Sequence, residues 1–153
     1  MIVRRATEED LPTVLELIGE LLAELGEEGD EFAGTDAAKL QTDLAEGHRS
    51  ERFLALLALG DHGAVLGVLT LSVSFAVYAG GEYGVIDEMY VRPEHRDRGV
   101  GGLLLEEAVR IARSRRWFRL DVTAPDASRH QRAREFYERA GFEFTGPKLR
   151  LLV

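Results

Sequence analysis

Three apolar runs follow one another in the middle of the chain with only short turns between them. Residues 53–59 read FLALLAL, residues 64–78 read AVLGVLTLSVSFAVY and residues 83–91 read YGVIDEMYV. The second is rich in β-branched and aromatic side chains, which suit a pleated, half-buried surface. Gly60-Asp61-His62-Gly63 separates the first two runs, and Ala79-Gly80-Gly81 separates the second from the third. A short apolar run, a tight glycine turn and a β-rich run read together as a hairpin. Pro93 then stops the last strand, because proline cannot donate to a ladder.

The flanking segments supply helices. Ile2-Val3-Arg4-Arg5-Ala6 is a candidate first strand, and Thr7 reads as an N-cap followed by Glu8, Glu9 and Asp10, where a helix dipole favours anions. Pro12 is tolerated that early in a helix. Leu11, Val14, Leu15, Ile18, Leu22 and Leu25 recur at helical spacing, and Gly26 and Gly29 end the helix. Residues 26–35 read as a loop, after which Thr35 or Asp36 caps a second helix to about Glu46 with Leu40 and Leu44 inward. A third helix runs through Val100, Leu103, Leu104, Ala108, Ile111 and Ala112, and residues 117–122 (WFRLDV) form a strand. Residues 126–131 (DASRHQ) open a last helix with Ala133, Phe136, Tyr137 and Ala140 on one side, and Gly141 fits its left-handed C′ position. Phe142-Glu143-Phe144 and Leu149–Val153 are expected as final short strands. The order β-α-α-β-β-β-α-β-α-β, or the same with one more β, over 153 residues predicts one mixed α/β domain spanning residues 1–153.

Composition removes several kinds of chemistry. The chain has no cysteine, which excludes a disulfide scaffold, cysteine zinc sites and a thiol nucleophile. Its four histidines, His48, His62, His95 and His130, have no HxxH or HExxH spacing, so no metal site is expected. No charge-free apolar run reaches the roughly 18 residues of a membrane span. The start is acidic by Glu8, unlike a signal peptide, and the expected location is cytoplasmic. A net charge of −8 argues against a nucleic-acid partner. That charge is uneven: residues 1–60 hold 14 acidic and 5 basic side chains, whereas residues 61–153 hold 13 and 14. Either the two halves face a cationic and an anionic ligand respectively, or the acidic helix surfaces are simply solvated.

The chemistry concentrates in residues 86–102, IDEMYVRPEHRDRGVGG. A strand enters a turn rich in arginine and glycine, and the turn opens a helix. Glycine permits close backbone approach, helix-terminal N–H groups bind phosphate, and Arg96 and Arg98 add fixed positive charge. Arg96-x-x-Gly99-x-Gly101-Gly102 is therefore a candidate pyrophosphate cradle, with an ordinary glycine turn as the plainer alternative. It is neither a Rossmann nor a P-loop pattern: Leu104 stands where GxGxxG needs glycine, and no Gly-Lys-Ser/Thr is present.

The stretch Met89 to Leu104 resembles motif A of the GCN5-related N-acetyltransferases (GNAT), an apolar strand ending in V-x-P and then R/Q-x-x-G-x-G/A. Ala133-Arg134-Glu135-Phe136-Tyr137-Glu138-Arg139-Ala140-Gly141-Phe142 resembles the family's late FYE-x-x-GF helix, and Val3–Thr7 with Asp10 is similar to its opening. The resemblance covers nearly the whole chain. It implies the GNAT α/β fold, a mixed central sheet of six to seven strands with about four flanking helices. Acetyl-CoA would lie as cosubstrate where the strand ending at Val91 and the strand Trp117–Val122 splay apart.

By the same resemblance, Met89 and Val91 offer main-chain contacts to the acetyl and pantetheine groups. The backbone amides of Arg98, Gly99, Val100, Gly101 and Gly102 hold the pyrophosphate, with Arg96 shaping the loop. A bulge in the first strand aims an N–H at the thioester oxygen. Tyr137 matches the tyrosine that protonates the departing thiolate; packing is its plainer role. Asp87 and Glu88 are the general-base candidates, with Glu88 preferred, and both also read as surface charges. His130 stands where the family often has asparagine and is either a CoA contact or a helix-start residue.

The implied reaction is transfer of acetyl to a primary amine by direct attack in a ternary complex. Glu27, Glu28, Asp30 and Glu31 crowd the loop that helps form family acceptor sites, which points to a cationic small-molecule or peptide amine. A non-catalytic acyl-CoA-binding or sensor module and an interaction protein of the same fold are the competing readings. The apolar end Leu149–Val153 makes a homodimer plausible.

Overall fold

A computed structural model of the chain describes residues 1–26, 36–123 and 127–146. Two compact units divide the chain, Met1–Asp121 and Val122–Val153. The first opens with β1 (Ile2–Arg5) and a 3-10 turn (Glu8–Asp10), followed by helices α1 (Leu11–Leu25) and α2 (Ala37–Arg49). Strands β2 (Phe53–Leu59), β3 (Val65–Ala76) and β4 (Gly81–Val91) come next, then helix α3 (Val100–Ser114) and strand β5 (Leu120–Val122). The sheet order is β1-β2-β3-β4-β5, with the pairs from β1 to β4 antiparallel. The three central runs thus form consecutive hairpins.

Both faces of the sheet are covered, and β2 shows it: Leu54 through Ala58 are all buried. A strand buried on both faces reads as a continuous apolar run. On one face Ala55, Leu57, Val68 and Tyr90 pack with Ala6 and with Val14 and Leu17 of α1. Leu54, Leu56, Leu69, Leu71 and Ile86 alternate with these and are also fully buried; α3, which packs on β1 to β4, covers that side with Leu104, Leu105, Ala108 and Ile111.

Several helix faces differ from expectation. In α1 the fully buried positions are Val14 and Leu17, with Leu11 almost so, while Leu15, Ile18, Leu22 and Leu25 are half-buried. Every third residue from Leu11 points most deeply inward, so Leu17 is core and the expected stripe lies to one side of it. Asp36 caps α2 by accepting from the N–H groups of Ala38 (2.9 Å) and Lys39 (3.2 Å). Leu40 is not inward: it is exposed, Leu44 is half-buried, and α2 buries no residue fully. Thr7 is the N-cap of the 3-10 turn Glu8–Asp10, as expected, and Asp10 in turn directly precedes α1. Its carboxylate accepts from the Thr7 N–H (2.7 Å) and hydroxyl (2.9 Å) and from Arg4 (2.6 and 2.9 Å), tying β1 to the helix start.

The expected strand 117–122 is also shorter. Arg116 has φ 59°, and the Trp117 N–H donates to the Ala112 carbonyl (2.9 Å) at the end of α3. That donor is spent on closing the helix, so the ladder begins only at Leu120. The Trp117 ring fits because Gly84 of β4 has no side chain; a Cβ there would stand 2.5 Å from the ring.

In the second unit, helix α4 (Ala127–Arg139) has a non-helical residue, His130, at φ −132° and ψ 43°. Gly141 has φ 92°, the Phe142 N–H donates to the Tyr137 carbonyl (3.0 Å), and the Gly141 N–H donates to the Glu138 carbonyl (3.0 Å). This is a Schellman ending, completed by the Tyr137–Phe142 ring contact at 5.5 Å between centroids. The expected apolar side is narrower than the spacing implied: Tyr137 is buried and Phe136 half-buried, but Ala133 and Ala140 are exposed.

Among the described residues there are five strands, not six to seven. Phe142-Glu143-Phe144 is irregular rather than a strand, and Phe144 lies under the Arg134 guanidinium. Leu149–Val153, the acidic residues Glu27, Glu28, Asp30 and Glu31, and Asp126 lie outside the described residues. No helix among those described is long and apolar enough to cross a membrane.

Candidate active site

The register between β3 and β4 breaks once. Leu69 pairs with Met89 and Leu71 pairs with Ile86, so Thr70 alone faces both Asp87 and Glu88. Two residues against one define a β-bulge. The bulge reverses the facing of β4: Tyr90 packs with α1, whereas Ile86, four residues earlier, pairs with Leu71 on the α3 side. An unbroken strand puts residues four apart on one face. The bulge lets β4 bury both large side chains and leaves a carboxylate at the step.

That carboxylate is Glu88. Asp87 is exposed, while Glu88 is half-buried. The Thr70 hydroxyl accepts from the Glu88 N–H at 3.0 Å and donates to the Glu88 carboxylate. Thr70 is fully buried, and apart from aromatic residues it is the one buried polar side chain among the described residues. Burial pushes the Glu88 carboxyl above the usual carboxylate range; the Thr70 hydrogen bond opposes this and the Asp87 charge adds to it. Sequence reasoning did not single out Thr70. The signal was present, as a hydroxyl inside a run that is otherwise apolar from Ala64 to Leu71.

Downstream of the bulge, β4 ends at Val91 and the chain makes a 3-10 turn (Pro93–His95). Arg96 reaches back, its Nε donating to the Val91 carbonyl at 2.8 Å and its terminal nitrogen to Glu24 of α1 at 2.5 Å, with Tyr90 beneath the guanidinium. Arg92 is anchored likewise, to Glu16 (2.9 Å), to Glu20 (2.8 Å) and to the Val65 carbonyl (3.2 Å). The α1 carboxylates at 16, 20 and 24 thus form one stripe that neutralises the two arginines of the loop.

Gly99, at φ 80°, is the N-cap of α3, and the Leu103 N–H makes the helical bond back to its carbonyl (3.1 Å). The amides of Val100, Gly101 and Gly102 precede any i−4 partner, as at every helix start. A Cβ added at Gly99 or Gly102 meets no atom within 4 Å, so the space over the turn is open. Arg98 is exposed beside it and Val100 is buried. Met89 and Val91 are half-buried on β4.

In the second unit, Tyr137 packs edge-on against Phe136 (5.4 Å) and Phe142 (5.5 Å). Burial pushes its phenol up to about 12. His130 is half-buried at the irregular turn of α4.

The family profile described as the acetyltransferase (GNAT) family matches residues 16–142, across the bulge, the glycine turn and α4. The chain belongs to the acetyltransferase (GNAT) family. It is therefore an N-acetyltransferase by class. Among solved structures, a probable acetyltransferase is 26% identical, with 100% of this chain and 99% of that chain covered and a TM-score of 0.70. A predicted acetyltransferase with acetyl-CoA from Clostridium acetobutylicum is 19% identical over 98% of this chain and 94% of that one, with a TM-score of 0.81. An aminoglycoside acetyltransferase from an uncultured soil metagenomic sample, in complex with sisomicin, is 20% identical over 99% and 95%, with a TM-score of 0.79. No curated protein matches the chain in sequence. GNAT acetyltransferases use acetyl-CoA and act on amine acceptors. Among the described residues of this acetyltransferase, no cluster of side chains suits a metal ion.

Proposed function

We propose that this acetyltransferase moves acetyl from acetyl-CoA to a primary amine by direct attack, with Glu88 as general base and Tyr137 as general acid. The observation that carries the reading is the β4 bulge, which puts a half-buried carboxylate of raised pKa on the strand that leads into the glycine turn. The family profile runs across both compact units, which supports residues 1–153 as one catalytic domain.

The chemistry of the donor set fits acetyl-CoA. Its diphosphate needs N–H donors and positive charge without side-chain bulk, and the start of α3 offers the amides of Val100, Gly101 and Gly102, open space at Gly99 and Gly102, and the exposed Arg98. Arg96, held by Val91 and Glu24, shapes the turn rather than competing for the phosphate. Backbone groups of Met89 and Val91 on β4 are assigned to the acetyl and pantetheine part, and His130 to the nucleotide. Acetyl-CoA supplies the activated acyl group.

Glu88 suits the base because desolvation raises its pKa towards the working range and the attacking amine must lose a proton. Tyr137 suits the acid because a phenol at about 12 keeps its proton at neutral pH. Asp87, exposed at the same bulge, takes the lesser role of raising the Glu88 pKa. The acceptor is an amine, and a cationic one is favoured by the acidic residues of the 27–31 segment. The α1 carboxylates do not add to that argument, since Arg92 and Arg96 already engage them.

Thermal unfolding with acetyl-CoA, with CoA and without ligand tests the reading. Ligand at about 100 times its dissociation constant stabilises by roughly 2.7 kcal/mol, a rise on the order of 5–10 °C for a chain of this size. A shift with acetyl-CoA, followed by release of CoA thiol with members of an amine panel (polyamines, amino sugars, amino acids, peptide amines), supports it. No shift at millimolar nucleotide would overturn it.

A further inference from the structure

Thr70 is hard to explain by packing alone. It stands mid-strand on β3, fully buried, between Leu69 and Leu71, which are equally buried. Its partner on β2 is Ala55. A valine is nearly isosteric, suits a strand better and avoids burying a hydroxyl. A buried polar group costs free energy unless it is bonded, and Thr70 spends both its donor and its acceptor on one residue, Glu88.

Those two bonds do different things. The Glu88 N–H lies on the bulged strand where the ladder is interrupted, and the Thr70 hydroxyl oxygen stands in for the missing carbonyl acceptor. The same hydroxyl then gives its hydrogen to the Glu88 carboxylate. Thr70 thus bonds both the backbone N–H and the carboxylate of one residue.

We propose that Thr70 is a positioning residue for acyl transfer, its hydroxyl fixing the β4 bulge and holding the Glu88 carboxylate in one place. The assignment rests on Glu88 being the base. Hydrogen bonding to a carboxylate favours its charged form, so Thr70 also limits how far burial raises the Glu88 pKa. Asp87 on β4 opposes it. The α1 carboxylates Glu16, Glu20 and Glu24 are occupied by Arg92 and Arg96, and the neighbour on β2 is apolar.

The test has two independent readouts. Carbon NMR titration of the Glu88 carboxyl in wild type, Thr70→Val and Thr70→Ser reads the clamp without any turnover. The expected result is an upward pKa shift in Thr70→Val and a wild-type value in Thr70→Ser. Thr70→Ala serves if the valine variant is poorly folded, and the same shift is expected. Kinetics then read function: Thr70→Val should lower kcat about 10-fold or more and move the acidic limb of the pH profile upward, with KM for acetyl-CoA unchanged, and Thr70→Ser should restore both. In a Glu88→Gln background, Thr70→Val should add no further loss. An unchanged Glu88 titration in Thr70→Val, or a loss that Thr70→Ser does not rescue, overturns the positioning role. A Glu88→Gln enzyme with wild-type kcat and pH profile overturns the base assignment instead, and leaves the titration to judge the clamp.

Discussion

Burial raises the pKa values of Glu88, Tyr90 and Tyr137, and the proposed mechanism uses the first and the last in opposite ways. In the proposed mechanism Glu88 takes a proton from the amine, and half-burial beside Asp87 raises its affinity for one. Tyr137 is proposed to do the reverse and hold its proton until a leaving group takes it; burial pushes its phenol up to about 12, with Phe136 and Phe142 packed edge-on against the ring. Tyr137→Phe removes the proton and little else, since the rings still pack edge to edge. We expect kcat to fall by about 10²–10⁴ with Tm unchanged within a degree or two, read by steady-state kinetics beside thermal unfolding. A drop in Tm large enough to explain the lost activity would mean that the hydroxyl serves structure.

At the scale of elements, helix faces and termini decide most of what differs between expectation and structure. α1 has enough leucines that several stripes satisfy a helical period, and only the position of the sheet chooses among them. Leu17→Ala should cost about 2–5 kcal/mol, whereas Leu40→Ala on the exposed face of α2 should stay within about 0.5 kcal/mol; chemical denaturation of the two variants checks the pair. The start of α3 is a second such place. Gly99 is left-handed, and asparagine tolerates that conformation better than most residues. Gly99→Asn should keep most of the acetyl-CoA-induced thermal shift. Gly99→Glu adds both strain and a negative charge at the proposed diphosphate site, and should lose the shift. Retention of the shift in the glutamate variant would remove α3 from the binding site.

For the molecule as a whole, the charge asymmetry is in part an internal matter. Acidic groups of the first half meet basic groups of the second: Glu16 and Glu20 with Arg92, Glu24 with Arg96, and Glu51 with Arg115. Exposed pairs of this kind contribute about 0–1 kcal/mol each. Asp10 is different, because Arg4 and Thr7 surround its carboxylate and hold it well below the usual range. A carboxyl whose pKa is depressed by folding stabilises the native state above its unfolded value, near 4, and that contribution fades as pH falls through the folded value. Glu88, shifted upward, works in the other direction and weakens the native state as pH rises past its unfolded pKa. Asp10→Asn should therefore reduce stability at pH 7 by about 1–3 kcal/mol, with the gap to wild type closing towards pH 2. Urea unfolding at several pH values measures it; a gap independent of pH would assign the effect to packing.

Much of the molecule is legible in the sequence alone. The hairpins at 53–91, the acids and Asp36 that start helices, the glycine at 141 and the arginine–glycine turn at 96–102 are local devices. Each depends on backbone sterics or on hydrogen bonds between near neighbours in sequence, so a window of ten residues contains its cause. Other features depend on what lies opposite in space. Leu17 is core because the sheet lies on its side of α1, and the strand after α3 starts at Leu120 because Trp117 caps the helix and settles against Gly84. Glu88 is separated from Asp87 by one hydroxyl on another strand, eighteen residues earlier in the chain. Pairing register is a long-range property: nothing within YGVIDEMYV says that two of its residues must share one partner. The chain alone determined the class of fold and the family, and only the tertiary structure decided which carboxylate turns inward and what holds it there.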